Sequence, residues 1–277
     1  MRGNIRAILR QGLLAIILIL GVVGVALANL VSVRVRQYRL AQWVVVGVTR
    51  LALAIYNVKL ICPERERIRR HQGLIVINHL SVLDAVGLFS LGPARCLIAA
   101  EIRDYPLMGR IAEGAGYVFV QRTNKGSRAE ARTAIVDALR CEPELALVIA
   151  PEGKFGPGDR LLPFRHGTFA IAADNGLPVL LCAIRYTPLE VAICHGSRGE
   201  TLSHAIWRLG QFAGPLRMEI SPVDVLYPHP GDDPAQLAEQ AHHTLSMALD
   251  LPVNLPASEV VEPLGVGSVQ KIRPPQR

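Results

Sequence analysis

Residues 77–85 read INHLSVLDA, placing His79 and Asp84 five positions apart just after the apolar run 74–77. A carboxylate on one imidazole nitrogen fixes the ring's tautomer and makes the other nitrogen more basic. A histidine so placed takes a proton from a hydroxyl near neutral pH, a contribution worth about 10²–10⁴-fold in rate. The same residues also spell a helix start, since Ser81-Val82-Leu83-Asp84 is a capping box with Ser81 as N-cap and Asp84 at N3. From these residues alone both readings stand: a base with its orienting carboxylate, or a cap with a solvated histidine beside it. No GxSxG occurs, so direct attack by a substrate alcohol fits better than an acyl-enzyme.

Two further polar groups close apolar runs. Arg122 ends the run 117–122, where a guanidinium either grips a phosphate dianion bidentately or snorkels at a strand end. Glu152-Gly153-Lys154 follows the run 145–150. There Gly153 permits close backbone approach to a ligand, and Glu152 offers acceptors to a polyol. Lys154, Arg165 and His166 add positive potential; the alternative is a glycine-rich turn with solvated charges. The other six histidines show no metal-ligand spacing with carboxylates.

The elements that must position these groups are legible in the pattern. Apolar runs at 74–77, 96–99, 117–120, 145–150 and 179–184 predict buried strands, with a later one at 216–220. Helical stretches at 82–91, 106–113, 128–140 and 167–175 alternate with them, and 206–212 and 235–249 follow. Ser127 is the expected N-cap of the third helix, with Glu130 at its capping-box position. Strand–helix alternation implies an α/β domain with a largely parallel sheet flanked by helices. In such folds ligand-handling residues gather where strands end. The clusters Asn78-His79, Gln121-Arg122 and Pro151 to Lys154 all hold that position.

Charge and hydropathy separate the N-terminal quarter from the rest. The chain of 277 residues is at +7, yet residues 1–72 hold 12 Lys/Arg and two Asp/Glu, placing that quarter at +10 and the remainder at −3. Residues 12–33 carry no charge and are long enough, at about 1.5 Å per residue, to cross a bilayer core of roughly 30 Å. Residues 40–58 are apolar around Arg50, which favours an interfacial or re-entrant helix over a second span. A cleaved signal peptide is the rival reading, but the apolar run continues past Ala26-Leu27-Ala28. Basic residues beside apolar helices point to anionic lipid headgroups, not nucleic acid. Five scattered cysteines without a CxxC argue against a disulfide framework and a structural zinc site. The expected organisation is membrane-anchoring helices over 1–62, a catalytic domain over 63–250 and a disordered tail over 251–277.

Together the clusters resemble the glycerolipid acyltransferase family, specifically the 1-acylglycerol-3-phosphate (lysophosphatidate) acyltransferases. The NHxSxxD block matches residues 78–84; the second block matches Gly116, Phe119 and Arg122; and the third matches Pro151-Glu152-Gly153 with Phe164-Arg165-His166-Gly167. Glu101, Pro106 and Gly109 match the segment between the first two blocks, and Pro178-Val179-Leu180 the fourth, so the resemblance covers about residues 73–185. It implies His79 as general base, Asp84 as its orienting partner, Arg122 as phosphate ligand, and Glu152 and Gly153 in the acceptor site. It also implies an acyl-CoA or acyl carrier protein donor, no metal or other cofactor, and 1-acylglycerol-3-phosphate as acceptor. The expected location is the inner membrane, with the catalytic domain facing the cytoplasm. Three departures touch acceptor recognition: the third block reads Glu152-Gly153-Lys154-Phe155 where the family reads E-G-T-R, Gln121 stands where an acid precedes the arginine, and Leu181-Cys182 replace a second proline. Lys154 supplies the missing arginine's charge but not its planar fork. The alternatives are another lyso-lipid or glycolipid acceptor, and a non-catalytic lipid-binding protein.

Overall fold

Neighbouring residues of a strand point to opposite faces of its sheet. In the run 74–77, Ile75 and Ile77 enter one apolar cluster while Leu74 and Val76 enter another. Both faces are therefore covered, which is why these strands read as continuous apolar runs.

A computed structural model of the chain describes residues 2–31, 33–120, 125–195 and 199–253. The order is α1 (Arg2–Leu30), β1 (Arg34–Val35), β2 (Tyr38–Arg39), α2 (Leu40–Ile55), β3 (Val58–Ile61), α3 (Arg65–Arg70), β4 (Leu74–Ile77) and α4 (Leu83–Leu91). Then come β5 (Arg95–Ala99), a 3-10 turn (Ala100–Asp104), α5 (Met108–Gly114), β6 (Val118–Val120), α6 (Lys125–Cys141), β7 (Leu147–Ile149) and α7 (Gly167–Asn175). The chain continues through β8 (Val179–Thr187), α8 (Leu189–Ala192), α9 (Leu202–Gln211), β9 (Leu216–Leu226) and α10 (Pro234–Leu249).

Seven strands form one sheet in the order β3-β9-β8-β4-β7-β5-β6, parallel except where β9 runs antiparallel to β8. Residues of α1, α2, α4, α5 and α9 cover one face, and residues of α6, α7 and α10 the other. This is the helix-flanked, largely parallel α/β sheet expected. Strands β4 and β7 are adjacent, with Leu74 opposite Leu147 and Val76 opposite Ile149. The loops that leave their C-terminal ends are therefore neighbours.

Several expectations are corrected. Residues 58–61, read as the end of the membrane module, form the edge strand β3, so the sheet begins inside the segment 1–62. Short length and a mixed buried and exposed pattern hid this strand behind the helical run before it. Ser127 lies inside α6, whose first residue is Lys125, and is not its cap. Strand β9 runs to Leu226, well beyond residue 220. The tail 254–277 lies outside the described residues.

The long helix α1 packs on the domain along its length. Arg6 donates to the Gln211 carbonyl at 2.7 Å and Arg10 to the Phe212 carbonyl at 2.7 Å, where α9 ends and its last carbonyls lack helical partners. At the other end of α1, Asn29 donates to the Gly114 carbonyl at 3.0 Å. Between them Gly21 lets α2 and α5 approach, since a Cβ there would lie 2.8 Å from Val48 and 3.0 Å from Ile111. The outer face of α1, including Ile8, Leu9, Ile16, Ile19, Leu20 and Leu27, is exposed and apolar. Arg50 of α2 is also exposed, and its Nε donates to the Ser90 carbonyl near the end of α4 at 2.8 Å.

Candidate active site

Strand β4 stops at Ile77 and Asn78 pins its end. The Asn78 side chain, fully buried, donates to the Ile184 carbonyl at 2.9 Å and accepts from the Ile184 amide at 2.7 Å. It thus stands in for one more backbone pair between β4 and β8. His79 follows in the short loop before α4.

Asp84, also fully buried, sits in the first turn of α4 and is the centre of the site. Its Oδ2 accepts from the Leu80 amide at 2.8 Å and the Ser81 amide at 2.9 Å, and lies 2.9 Å from His79 Nδ1. Its Oδ1 accepts from the Tyr186 hydroxyl at 2.7 Å. Ser81 Oγ in turn accepts from the Leu83 amide at 3.2 Å. Helix α4 starts at Leu83 with Val82 as its N-cap, so Ser81 is not the cap expected; the Leu80 and Ser81 amides nonetheless hold Asp84 where it faces the imidazole. An ionised carboxylate only accepts, so Nδ1 carries the proton and Nε2 presents a lone pair. The His79 side chain is 28% exposed, which leaves that lone pair reachable.

The loop after β7 closes on His79 from the other side. Glu152 Oε1 accepts from the His79 amide at 2.8 Å, and Oε2 from the Leu162 amide at 3.0 Å. The Gly156 amide donates to the His79 carbonyl at 2.7 Å. Burial pushes the Glu152 carboxyl up to about 7; the two amides and the nearby His79 pull the other way, and the charge of Asp84 adds to the rise. Glu152 is only 3% exposed and each of its oxygens accepts from a backbone amide, so it braces the two loops. Gly153, at φ +71°, supports the brace differently: a Cβ there would fall 2.7 Å from the Arg165 guanidinium, which lies against it. Phe155 lies against the His79 imidazole, with ring centroids 4.2 Å apart and planes at 38°.

The structure thus brings His79, Asp84, Glu152, Gly153 and Arg165 into one constellation. Lys154 is exposed on the same loop. Arg122 lies outside the described residues. Sequence reasoning missed Asn78's anchoring role, although the residue stands in the motif, and it missed Tyr186 altogether. Burial raises the Tyr186 hydroxyl well above its ordinary value, and the adjacent Asp84 charge raises it further, so it remains a donor. Its one signal was periodic: Cys182, Ile184 and Tyr186 share a face of β8, two residues apart each time.

A buried carboxylate thus holds a partly exposed imidazole at the C-terminal edge of a parallel sheet. Residues 59–185 match the family model described as Acyltransferase. The chain belongs to that acyltransferase family. It is 31% identical over 262 residues to a lyso-ornithine lipid O-acyltransferase of Pseudomonas aeruginosa, a match covering 89% of this chain and 95% of that enzyme. It is 30% identical over 113 residues to a 1-acyl-sn-glycerol-3-phosphate acyltransferase of Neisseria gonorrhoeae, spanning 41% of this chain and under half, 44%, of that enzyme. The fold is similar to that of the 1-acyl-sn-glycerophosphate acyltransferase of Thermotoga maritima, with TM-score 0.66 at 17% identity over 90% of this chain and 97% of that one.

Proposed function

We propose that this chain is a membrane-bound O-acyltransferase that moves a fatty acyl group from a thioester to the free hydroxyl of a lyso-lipid, with 1-acylglycerol-3-phosphate as acceptor. The observation that carries the reading is the His79 Nδ1 to Asp84 Oδ2 contact of 2.9 Å, which leaves Nε2 as a reachable base. The acceptor hydroxyl gives its proton to Nε2 as its oxygen attacks the thioester carbonyl. The imidazolium so formed is held by Asp84 and returns the proton to the departing thiolate of coenzyme A or acyl carrier protein. Lys154, Arg165 and Arg122 supply positive charge for the acceptor's phosphate.

Membrane attachment is supported by α1, which is 29 residues long and whose most apolar 18-residue stretch has mean hydropathy 2.8, enough by length and composition to cross a bilayer. Because both ends of α1 bond to the domain, we place it along the membrane surface, outer apolar face in the lipid and catalytic domain on the cytoplasmic side. An acceptor carrying one acyl chain lies at that same surface.

One observation favours a second reading, acylation of a lyso-ornithine lipid. Phe155 stands where the phosphate-using family reads arginine, and the lyso-ornithine lipid O-acyltransferase matches this chain nearly end to end. The test is turnover in membranes given labelled acyl-CoA and either acceptor, with wild type and His79→Ala. Loss of about 10²-fold or more in His79→Ala is expected. Near-wild-type turnover by that variant refutes the mechanism, and the preferred acceptor decides between the two lipids.

A further inference from the structure

The Glu152 loop grips both backbone polar groups of His79 and lays a side chain on its ring. The His79 amide donates to Glu152, its carbonyl accepts from Gly156, and the residue immediately before Gly156 is Phe155. Gly156 allows this closeness: a Cβ there would lie 2.9 Å from Glu152 Oε2 and 3.5 Å from the His79 carbonyl, so a larger residue would lever the loop away. Phe155 is thereby fixed within a five-residue segment anchored at both ends. Its centroid distance of 4.2 Å is within the range, up to about 6 Å, over which an aromatic face attracts a cation.

We propose that Phe155 is a positioning residue for acyl transfer, whose ring holds the His79 imidazole edge-on to the acceptor and stabilises the imidazolium formed when Nε2 takes the proton. This rests on the general-base reading of His79 given above. One nitrogen of the imidazole is held by Asp84 and one face is covered by Phe155, so the acceptor hydroxyl approaches along the Nε2 edge. The charged and titratable groups around the ring are Asp84 on α4, Glu152 in the loop after β7 and, through Asp84, Tyr186 on β8. The loop between β7 and α7 that carries Glu152 also holds Lys154, Asp159, Arg160, Arg165 and His166. An arginine at position 155, as the family's third block has it, would place a cation beside a cation in the transition state. The phenyl face does the opposite.

The test compares pH profiles of the full-length enzyme in membranes for wild type, Phe155→Leu, Phe155→Met and Phe155→Tyr. Leucine and methionine keep an apolar cover but lose the π face; tyrosine keeps it. The leucine and methionine variants should lose about two- to fivefold in kcat with KM for the acceptor little changed. The acid limb of their kcat/KM profiles should move about half a unit to lower pH, because the imidazolium has lost a stabilising neighbour. Tyrosine should restore both. The inference is overturned if the limb of either variant that folds stays within about 0.1 unit of wild type, or if tyrosine behaves like leucine. Retained turnover in His79→Ala would instead overturn the general-base reading, so the two failures are separable.

Discussion

Removing the Tyr186 hydroxyl tests whether Asp84 is held by the network described. That hydroxyl is buried and donates to Asp84 Oδ1 at 2.7 Å, while the Leu80 and Ser81 amides and His79 all address Oδ2. Tyr186→Phe therefore leaves Oδ1 without a donor among the described residues and keeps the phenyl packing. A hydrogen bond to a charged buried group contributes about 1.5–3 kcal/mol, and that loss should appear in full because Asp84 is fully buried. For a chain of this size each kcal/mol shifts Tm by about 2–4 °C, so a drop of roughly 3–12 °C is expected. Turnover should fall far less than in His79→Ala, since the Nδ1 to Oδ2 contact survives. The assay is thermal and urea unfolding of detergent-solubilised protein, repeated in an Asp84→Ala background, which removes the acceptor, to complete a double-mutant cycle. If the tyrosine acts through Asp84, its cost should largely vanish there, giving a coupling of about 1.5–3 kcal/mol. A Tyr186→Phe protein that melts with wild type, or a cycle additive within about 0.5 kcal/mol, refutes the account.

Glu152→Gln exchanges one acceptor oxygen for an NH₂ that must face a backbone N–H, so it should cost about 1–3 kcal/mol in urea unfolding. The Glu152 carboxyl titrates near 7 in the folded chain against an ordinary 4.5, so the folded state binds its proton more tightly. Its contribution is fully present below about 4.5 and is lost as pH rises to about 7; wild-type stability should fall across that window, and the slope should flatten in Glu152→Gln. Phe155→Arg restores the family's fork at the third block and should raise the preference for a phosphate-bearing acceptor over a lyso-ornithine lipid, measured as a ratio of kcat/KM values; an unchanged ratio removes residue 155 from acceptor choice. For α1, cysteines placed at Arg2 and Arg34 should both react with an impermeant maleimide from the side that labels the exposed native Cys141. Labelling of one of the two from the opposite side would show that α1 spans.

The sequence made the His79–Asp84 pair legible because its logic is local. Residues 77–85 contain the strand end, the helix start and the two amides, of Leu80 and Ser81, that hold Asp84 towards His79. The third block was legible as a turn but the bracing contact of Glu152 was not, because it depends on the His79 amide, 73 residues away, and on a neighbour relation between β4 and β7. Tyr186 was harder still, since it meets Asp84 across 102 residues and its own neighbourhood is an apolar strand. The same distance rule explains α1. Its apolar run announces lipid, but the polar contacts that tie its ends to the domain fall on α9 and α5, more than 80 residues away in each case. Arg6 and Arg10 read locally as membrane-flanking charges. In the fold they complete the carbonyl end of another helix, so a cation beside an apolar run does not by itself mark the lipid boundary. What distinguishes the two roles is an orphaned acceptor within reach, and that is a property of the packed chain.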